Sequence, residues 1–279
     1  MNESEVMIHL QRINSFHLQN QLQIQSALLR NQLLASSRYA DPRCLNRFEY
    51  EIFSQCGEDG IINEIFNRIG LTNRYFVEFG AGNGIQNNSA ALILRNWYGL
   101  WIDADPKNAE IIQNKYKQII NRRQLTFLQA FITTENIEDL FKQADVPQEP
   151  DLLSVDIDGN DYWIWKNIVS FNPRVVICEY NARYGPDLKW VMRYNPAHQW
   201  NGSSYYGASL KSLELLASQK GYRLVACNLA GINAFFIRGD LFTEQFTSLS
   251  TAEDHFEPQR SFLMQEPVQR PDFGPFESC

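Results

Sequence analysis

The chain has 279 residues, 44% hydrophobic and 20% charged, with a formal net charge of -7. That composition supports one sizeable core, or at most two small ones, and excludes an intrinsically disordered chain. An acidic balance without a basic tract excludes a general nucleic-acid binder, and the short apolar stretches leave nothing long enough to span a bilayer.

The N-terminal segment MNESEVMIHLQ has no basic stretch followed by an apolar one. No secretory signal is therefore expected, and the expected setting is cytoplasmic. Cys44, Cys56, Cys178, Cys227 and Cys279 have no paired spacing, which speaks against a disulfide framework or a structural zinc site. Cys178 and Cys227 lie in apolar runs and read as core residues.

Residues 1–45 are rich in Gln and Asn, poor in charge and free of Gly, with Pro only at Pro42. Leu18, Leu22, Leu29 and Leu33 fall on one helix face, and Val6, Leu10 and Ile13 extend a similar stripe earlier. The expectation is one long amphipathic helix ending before Asp41-Pro42. It either packs on its own domain or makes a homo-oligomer by pairing with a second copy. The near absence of Lys and Arg speaks against a membrane-surface helix.

Residues 46–245 alternate strand-like and helix-like runs. The strands are expected at 75–80, 99–105, 125–131, 152–158, 174–180, 222–227 and 233–238. Helices are expected at 58–69, 88–97, 107–120, 135–143, 162–170 and 207–220. This alternation predicts an α/β fold: a Rossmann-like, doubly wound, mostly parallel sheet of seven strands. Only Asn228 to Ile232 separate the last two strands, too few residues for a crossover, so they form an antiparallel edge hairpin. Residues 246–279 carry Pro258, Pro267, Pro271 and Pro275 among Phe256, Phe262, Phe273 and Phe276, and are expected to drape over the surface as an extended tail.

The segment Glu78-Phe79-Gly80-Ala81-Gly82-Asn83-Gly84 ends an apolar strand in an acidic residue and three alternate glycines, before an expected helix with free N–H groups. A dinucleotide loop needs its third glycine at position 85, where the chain has Ile85. The spacing E-x-G-x-G-x-G resembles the first motif of class I S-adenosylmethionine-dependent methyltransferases, whose cofactor lacks a pyrophosphate. Asp105, or alternatively Asp103, at the second strand tip would accept both ribose hydroxyls of an adenosine. Ala130 and Phe131 end the third strand where the adenine would lie, with Phe131 as a stacking platform or a core residue.

Asp156 and Glu179 close the fourth and fifth strands, whose carboxyl ends face the ligand crevice of such a sheet. Two roles remain open for them. Asp156, Glu179 and Asn181 would present oxygens to Mg²⁺ or another divalent cation, or a carboxylate or His198 would act as general base without a metal. The turn Asp158-Gly159-Asn160-Asp161 serves either as a helix cap or as a functional loop.

VEFGAGNG, SVDIDGND and the upstream Ser54-Gln55-Cys56-Gly57-Glu58-Asp59-Gly60 together resemble the FkbM-type class I methyltransferases over roughly residues 50–240. The strand-four pattern of that family, I-D-V-E-G-x-E, is met here with Asp in place of Glu. The resemblance implies O-methylation of sugars, polysaccharides or polyketide-type metabolites. It also implies that Gln55, Asn88 and Ser89 approach the methionine end of the cofactor. Glu179-Tyr180-Asn181 departs from the Asp-Asn pair of metal-dependent O-methyltransferases by one inserted residue and a Glu.

Residues 181–210 form an insert too long for an ordinary connection. Tyr184, Trp190, Trp200, Tyr205 and Tyr206, with polar neighbours, suit stacking on a sugar, and Asp158 would reach the same acceptor. The alternative is an aromatic mini-core at the sheet edge. Arg183, Lys189 and Arg193 offer recognition of an acidic group. Together these features predict an S-adenosylmethionine-dependent O-methyltransferase acting on a sugar, glycan or glycosylated small molecule. An NAD-dependent oxidoreductase and a non-catalytic cofactor-binding partner subunit are the competing functions.

Overall fold

A computed structural model of the chain describes residues 3–264 and 276–277. Pro267, Pro271, Phe273, Pro275 and Cys279 lie outside the described residues. The first helix, α1, runs Glu3–Leu34, and 3-10 turns follow at Ser37–Tyr39 and Leu45–Phe48. The α/β region then proceeds as α2 (Glu58–Ile69), β1 (Tyr75–Phe79), α3 (Ala90–Ile93), β2 (Tyr98–Asp103), α4 (Pro106–Lys115), α5 (Lys117–Asn121), β3 (Leu125–Gln129), α6 (Ile137–Gln143), β4 (Leu152–Val155), α7 (Asp161–Asn167) and β5 (Val175–Glu179). It continues through β6 (Val191–Met192), α8 (Leu210–Gln219), β7 (Tyr222–Cys227) and β8 (Asn233–Arg238). The last elements are α9 (Ala252–His255), α10 (Ser261–Met264) and β9 (Phe276–Glu277), which pairs antiparallel with β6. No helix of the described residues is long and apolar enough to cross a membrane.

Seven strands form one sheet in the order β3-β2-β1-β4-β5-β8-β7. The five strands β1 to β5 pair in parallel, and β8 runs antiparallel to both β5 and β7. This is the expected mostly parallel, doubly wound sheet with its edge hairpin. Central strands are apolar on both faces because helices cover both. Val77, Phe79, Val155, Val176 and Phe236 face one layer of the core, while Phe76, Trp101, Leu152, Ile177 and Phe235 face the other. Cys178 and Cys227 are buried, as expected of core residues.

The amino-terminal edge of the sheet is tied by one buried ion pair. Arg174 donates to Asp151 at 2.7 Å, and the Asp151 carboxylate also accepts the backbone N–H groups of Thr72, Asn73 and Arg74. The carboxyl ends of the strands are left to loops, and the order changes direction between β1 and β4. A ligand crevice is expected at that switch point.

Two elements differ from expectation. The stretch 88–97 yields only the four residues of α3, because Asn88 and Ser89 are drawn inward by a buried carboxylate. In α1, successive residues turn by about 100°, so Val6 and Ile13 lie roughly 120–180° around the axis from Leu18, Leu22 and Leu29 rather than continuing their stripe.

Candidate functional site

A cavity of about 890 Å³ opens at the carboxyl ends of β1, β2, β4 and β5, within the size range of small-molecule sites. Its floor is the glycine loop. Gly80 (φ 74°) is forced by packing, since a Cβ there would lie 1.4 Å from the Asp156 carbonyl oxygen. Gly82 (φ 52°) lines the cavity, and a Cβ there would meet no atom within 4 Å. Gly84 does something else. A Cβ there would crowd the rings of Tyr116 and Trp101, and the Tyr116 hydroxyl donates to the Gly84 carbonyl.

Glu78 turns away from the cavity. It is 4% exposed, and its carboxylate accepts the N–H groups of Asn88 (2.8 Å) and Ser89 (3.1 Å) and the Ser89 hydroxyl. Burial pushes its pKa up, against these hydrogen bonds. Asn88 in turn donates to the Ser154 hydroxyl at 3.0 Å, and Ser89 accepts from the Trp101 indole at 2.8 Å. Glu78, Gly84, Asn88 and Ser89, expected around a cofactor, therefore shape the loop from behind and do not line the cavity. The amides expected to be free at the start of the following helix are the ones Glu78 takes.

Gln55, Ala81, Asp103, Asp105, Ala130 and Phe131 do line the cavity, with Gly80 and Gly82. Asp103 sits at the β2 tip, 9% exposed. One of its oxygens accepts the Gly82 N–H at 2.7 Å, the other the Asp105 N–H and the Asn108 amide. Asp105 is exposed and caps α4 by accepting the Lys107 N–H at 2.8 Å. Phe131 is 40% exposed, an apolar ring bordering the opening. Gln55 is held by its neighbours: Asp59 accepts the N–H groups of Ile52, Phe53 and Ser54, and Glu58 accepts that of Cys56.

Across the cavity, one carboxylate oxygen each from Asp156, Asp158 and Glu179 lies within 4.8 Å of the others. Burial, with the nearby Asp158 and Asp161 carboxylates, pushes the Asp156 pKa well above the usual range. Asp158 adopts a left-handed conformation (φ 55°), which Asp tolerates better than most residues. Asp161 fixes that turn by accepting the N–H groups of Ile157 (2.8 Å) and Gly159 (2.9 Å). Its own pKa is pushed up to about 6 by burial. Asn181, expected beside Asp156 and Glu179, does not line the cavity. It is fully buried and donates to the carbonyls of Ser204 (2.8 Å) and Tyr206 (3.0 Å), anchoring the insert instead. Asp158, expected at the acceptor, is the third carboxylate beside Asp156 and Glu179.

The insert splits between its two expected roles. Trp200 (42% exposed), Tyr206 and His198 line the cavity. Tyr184 stacks on Trp190 at 4.3 Å and Tyr205 meets the same indole edge-on at 6.0 Å, so both belong to an aromatic mini-core rather than the cavity wall. His198 lies 3.2 Å from the Asp158 carbonyl through Nε2. A carbonyl can only accept, so Nε2 carries the proton and Nδ1 keeps its lone pair. Burial lowers the His198 pKa and favours this neutral ring. Asn160, left open between a cap and a functional loop, lines the cavity as well, and Gln199 reaches it from the expected insert. Sequence reasoning missed Gln86, Asn108, Ile232 and Gln259, which also line it, and of these Ile232 carried a signal, as part of the short hairpin connection.

No protein-family model matches the chain, and no curated protein matches its sequence. Solved structures match in layout. A putative caffeoyl-CoA O-methyltransferase from Staphylococcus aureus is 13% identical, with 77% of this chain and 100% of that one covered, at a TM-score of 0.47. A putative O-methyltransferase from Klebsiella pneumoniae is 12% identical, covering 76% and 96%, at 0.44. The methyltransferase domain of bacterial CtHen1-C is 14% identical, covering 65% and 98%, at 0.39. At these identities and scores they add nothing to the site beyond what its own residues carry.

Proposed function

We propose that the chain is an S-adenosylmethionine-dependent methyltransferase that acts on a hydroxyl of a sugar, glycan or glycosylated metabolite. The observation that carries this reading is a single cavity at the switch point of the sheet that joins an open glycine loop, an acidic β2 tip and a carboxylate cluster. In this reading residues 46–245 carry the catalytic unit, 181–210 supply its acceptor segment, and 1–45 and 246–279 flank it.

The cavity fits the cofactor. At Gly82 a side chain would find only open space, leaving the backbone free to approach a ligand. Asp103, already oriented by the Gly82 amide, has the carboxylate chemistry to accept two ribose hydroxyls. This favours it over Asp105, which is engaged in capping α4. Phe131 offers its ring to the base, and Gln55 its amide to the amino-acid end. When bound, S-adenosylmethionine supplies a methyl group on a positively charged sulfur, and the neighbouring carboxylates complement that charge. A dinucleotide would want a helix N-terminus at the glycine loop. Here α3 begins only at Ala90, and Glu78 already occupies the preceding amides. This speaks for a cofactor without a pyrophosphate and against the oxidoreductase alternative.

The lining also limits the acceptor. Asp103, Asp105, Asp156, Asp158 and Glu179 face the cavity, whereas no Lys or Arg among the described residues lines it. Arg183, Lys189 and Arg193 stay outside. An anionic acceptor would be repelled, and a neutral polyol suits the aromatic Trp200 and Tyr206 with the amides of Asn160, Gln199 and Gln259. Asp156, its basicity raised by burial, is the group to take the acceptor proton; His198 Nδ1 is the second. A divalent cation fits the oxygens of Asp156, Asp158 and Glu179. It would supply the charge that lowers the pKa of the acceptor hydroxyl.

Calorimetric titration with S-adenosylhomocysteine, with Mg²⁺ and after EDTA treatment, tests the reading. Micromolar binding is expected, and enhancement by Mg²⁺ identifies the metal-assisted form. No binding under any condition would overturn the assignment.

A further inference from the structure

Among the described residues, helix α1 packs on the rest of the chain through its last turns. Leu33 and Leu34 join the cluster of Tyr39, Cys56, Leu229 and Leu263, and Arg30 pairs with Glu51 at 3.0 Å. Towards its N-terminus the helix exposes Val6, Met7, Ile13, Phe16, Leu18, Leu22, Ile24, Leu28 and Leu29, each between 38% and 61%. Val6, Ile13 and Ile24 fall within about 20° of one another around the axis, and Leu18, Leu22 and Leu29 lie roughly 120–180° away. Residues 6–36 contain no Asp or Glu, and Arg12 and Arg30 are their only Lys or Arg residues. No ion pairs along the helix can stabilise it, and an isolated helix of this composition is marginal in water. Packing against another surface must therefore contribute its stability.

We propose that this surface is a second copy of the chain, paired in parallel through the face that carries Val6, Ile13 and Ile24. Steps of four and three residues connect Val6, Leu10, Ile13, His17, Asn20, Ile24, Ala27 and Asn31, the spacing of a coiled-coil seam. The polar residues in that seam select the partner. In a parallel pair of identical helices, Asn20 and Asn31 meet their own copies at the same height and can hydrogen-bond across the seam. An apolar foreign helix would leave them unpaired. The segment has almost no charge for a charged partner to match. About 40 Å of helix at 1.5 Å per residue offers a long contact to set against the roughly 800 Å² per partner of a standard interface.

Light scattering of the full chain at micromolar concentration tests the proposal. The natural chain should show twice the single-chain mass. Ile13→Glu with Ile24→Glu should show the single-chain mass with an unchanged melting midpoint for the α/β region. Leu18→Glu with Leu22→Glu, on the other face, should remain double. Asn20→Cys should give a covalent dimer on oxidation that the natural chain does not form, a readout that does not depend on how the Glu variants fold. A single-chain mass for the natural protein would overturn the proposal. So would a seam variant that stays double, or a natural chain that is monomeric and instead binds vesicles of phosphatidylcholine and phosphatidylglycerol.

Discussion

Replacing Asp103 and Asp105 separately distinguishes the ribose anchor from a helix cap. Asp103 holds the Gly82 N–H at 2.7 Å, the Asp105 N–H at 2.8 Å and the Asn108 amide at 3.1 Å, which aims its carboxylate along the cavity floor. A ribose donating two hydroxyls to it gains about 1.5–3 kcal/mol for each charge-assisted bond. Asp103→Ala should therefore weaken S-adenosylhomocysteine by about 3–6 kcal/mol, on the order of 10²–10⁴ in affinity. Asp105→Ala removes one cap bond to Lys107, which costs about 1 kcal/mol of stability and a few degrees in melting midpoint, with affinity kept within about tenfold. Calorimetry with each variant, beside its melting curve, separates binding from folding. A larger affinity loss in Asp105→Ala than in Asp103→Ala would refute the assignment of the β2 tip.

Two glycine variants should part company. Gly80→Ala drives a methyl onto the Asp156 carbonyl and should fail to give folded protein. Gly82→Ala meets no neighbour, should cost only the roughly 1–2 kcal/mol of a left-handed side chain, and should melt as a folded protein with impaired cofactor binding. Glu49 provides a pH test. Burial raises its pKa to about 8 from the ordinary glutamate value of 4.5, so the folded chain holds a proton that the unfolded chain releases, and stability falls as pH rises between those values. Glu49→Gln keeps an acceptor for the Leu229 N–H without titrating, so its melting midpoint should vary less from pH 5 to 8; parallel curves would refute the buried-proton account. The metal donors can be sorted by two variants. Asp158→Asn should abolish any Mg²⁺ enhancement of binding, whereas Asn181→Ala should keep it and lose about 1–3 kcal/mol of stability for each carbonyl left unpaired, measured by denaturant titration.

The seven-stranded, mostly parallel sheet with its edge hairpin was legible because its signals are local. Apolar runs of four to six residues, helices between them, and a five-residue gap before β8 leave few ways to build the sheet. The glycine loop was legible for the same reason, since a turn at a strand end needs glycine whatever lies elsewhere. Side-chain direction was not. Glu78 and Asp103 both sit at or near the end of a strand beside the loop, yet Glu78 turns inward because the amides of Asn88 and Ser89 lack other partners, whereas Asp103 is held on the cavity by Gly82. Two positions after Glu179, Asn181 has the spacing of a ligand. The chain has by then left β5, and the carbonyls of Ser204 and Tyr206, more than twenty residues away, claim the side chain. Gln259 shows the same limit at longer range. Glu257, 2% exposed, accepts from Arg38, Tyr39 and Arg260, and the backbone N–H of Arg260 donates to the Ala230 carbonyl. Gln259 thus reaches the cavity wall from a segment seated by residues at the base of α1 and in the β7–β8 hairpin. Spacing reveals which residues have the chemistry, and competition among buried donors and acceptors decides which of them reach the ligand.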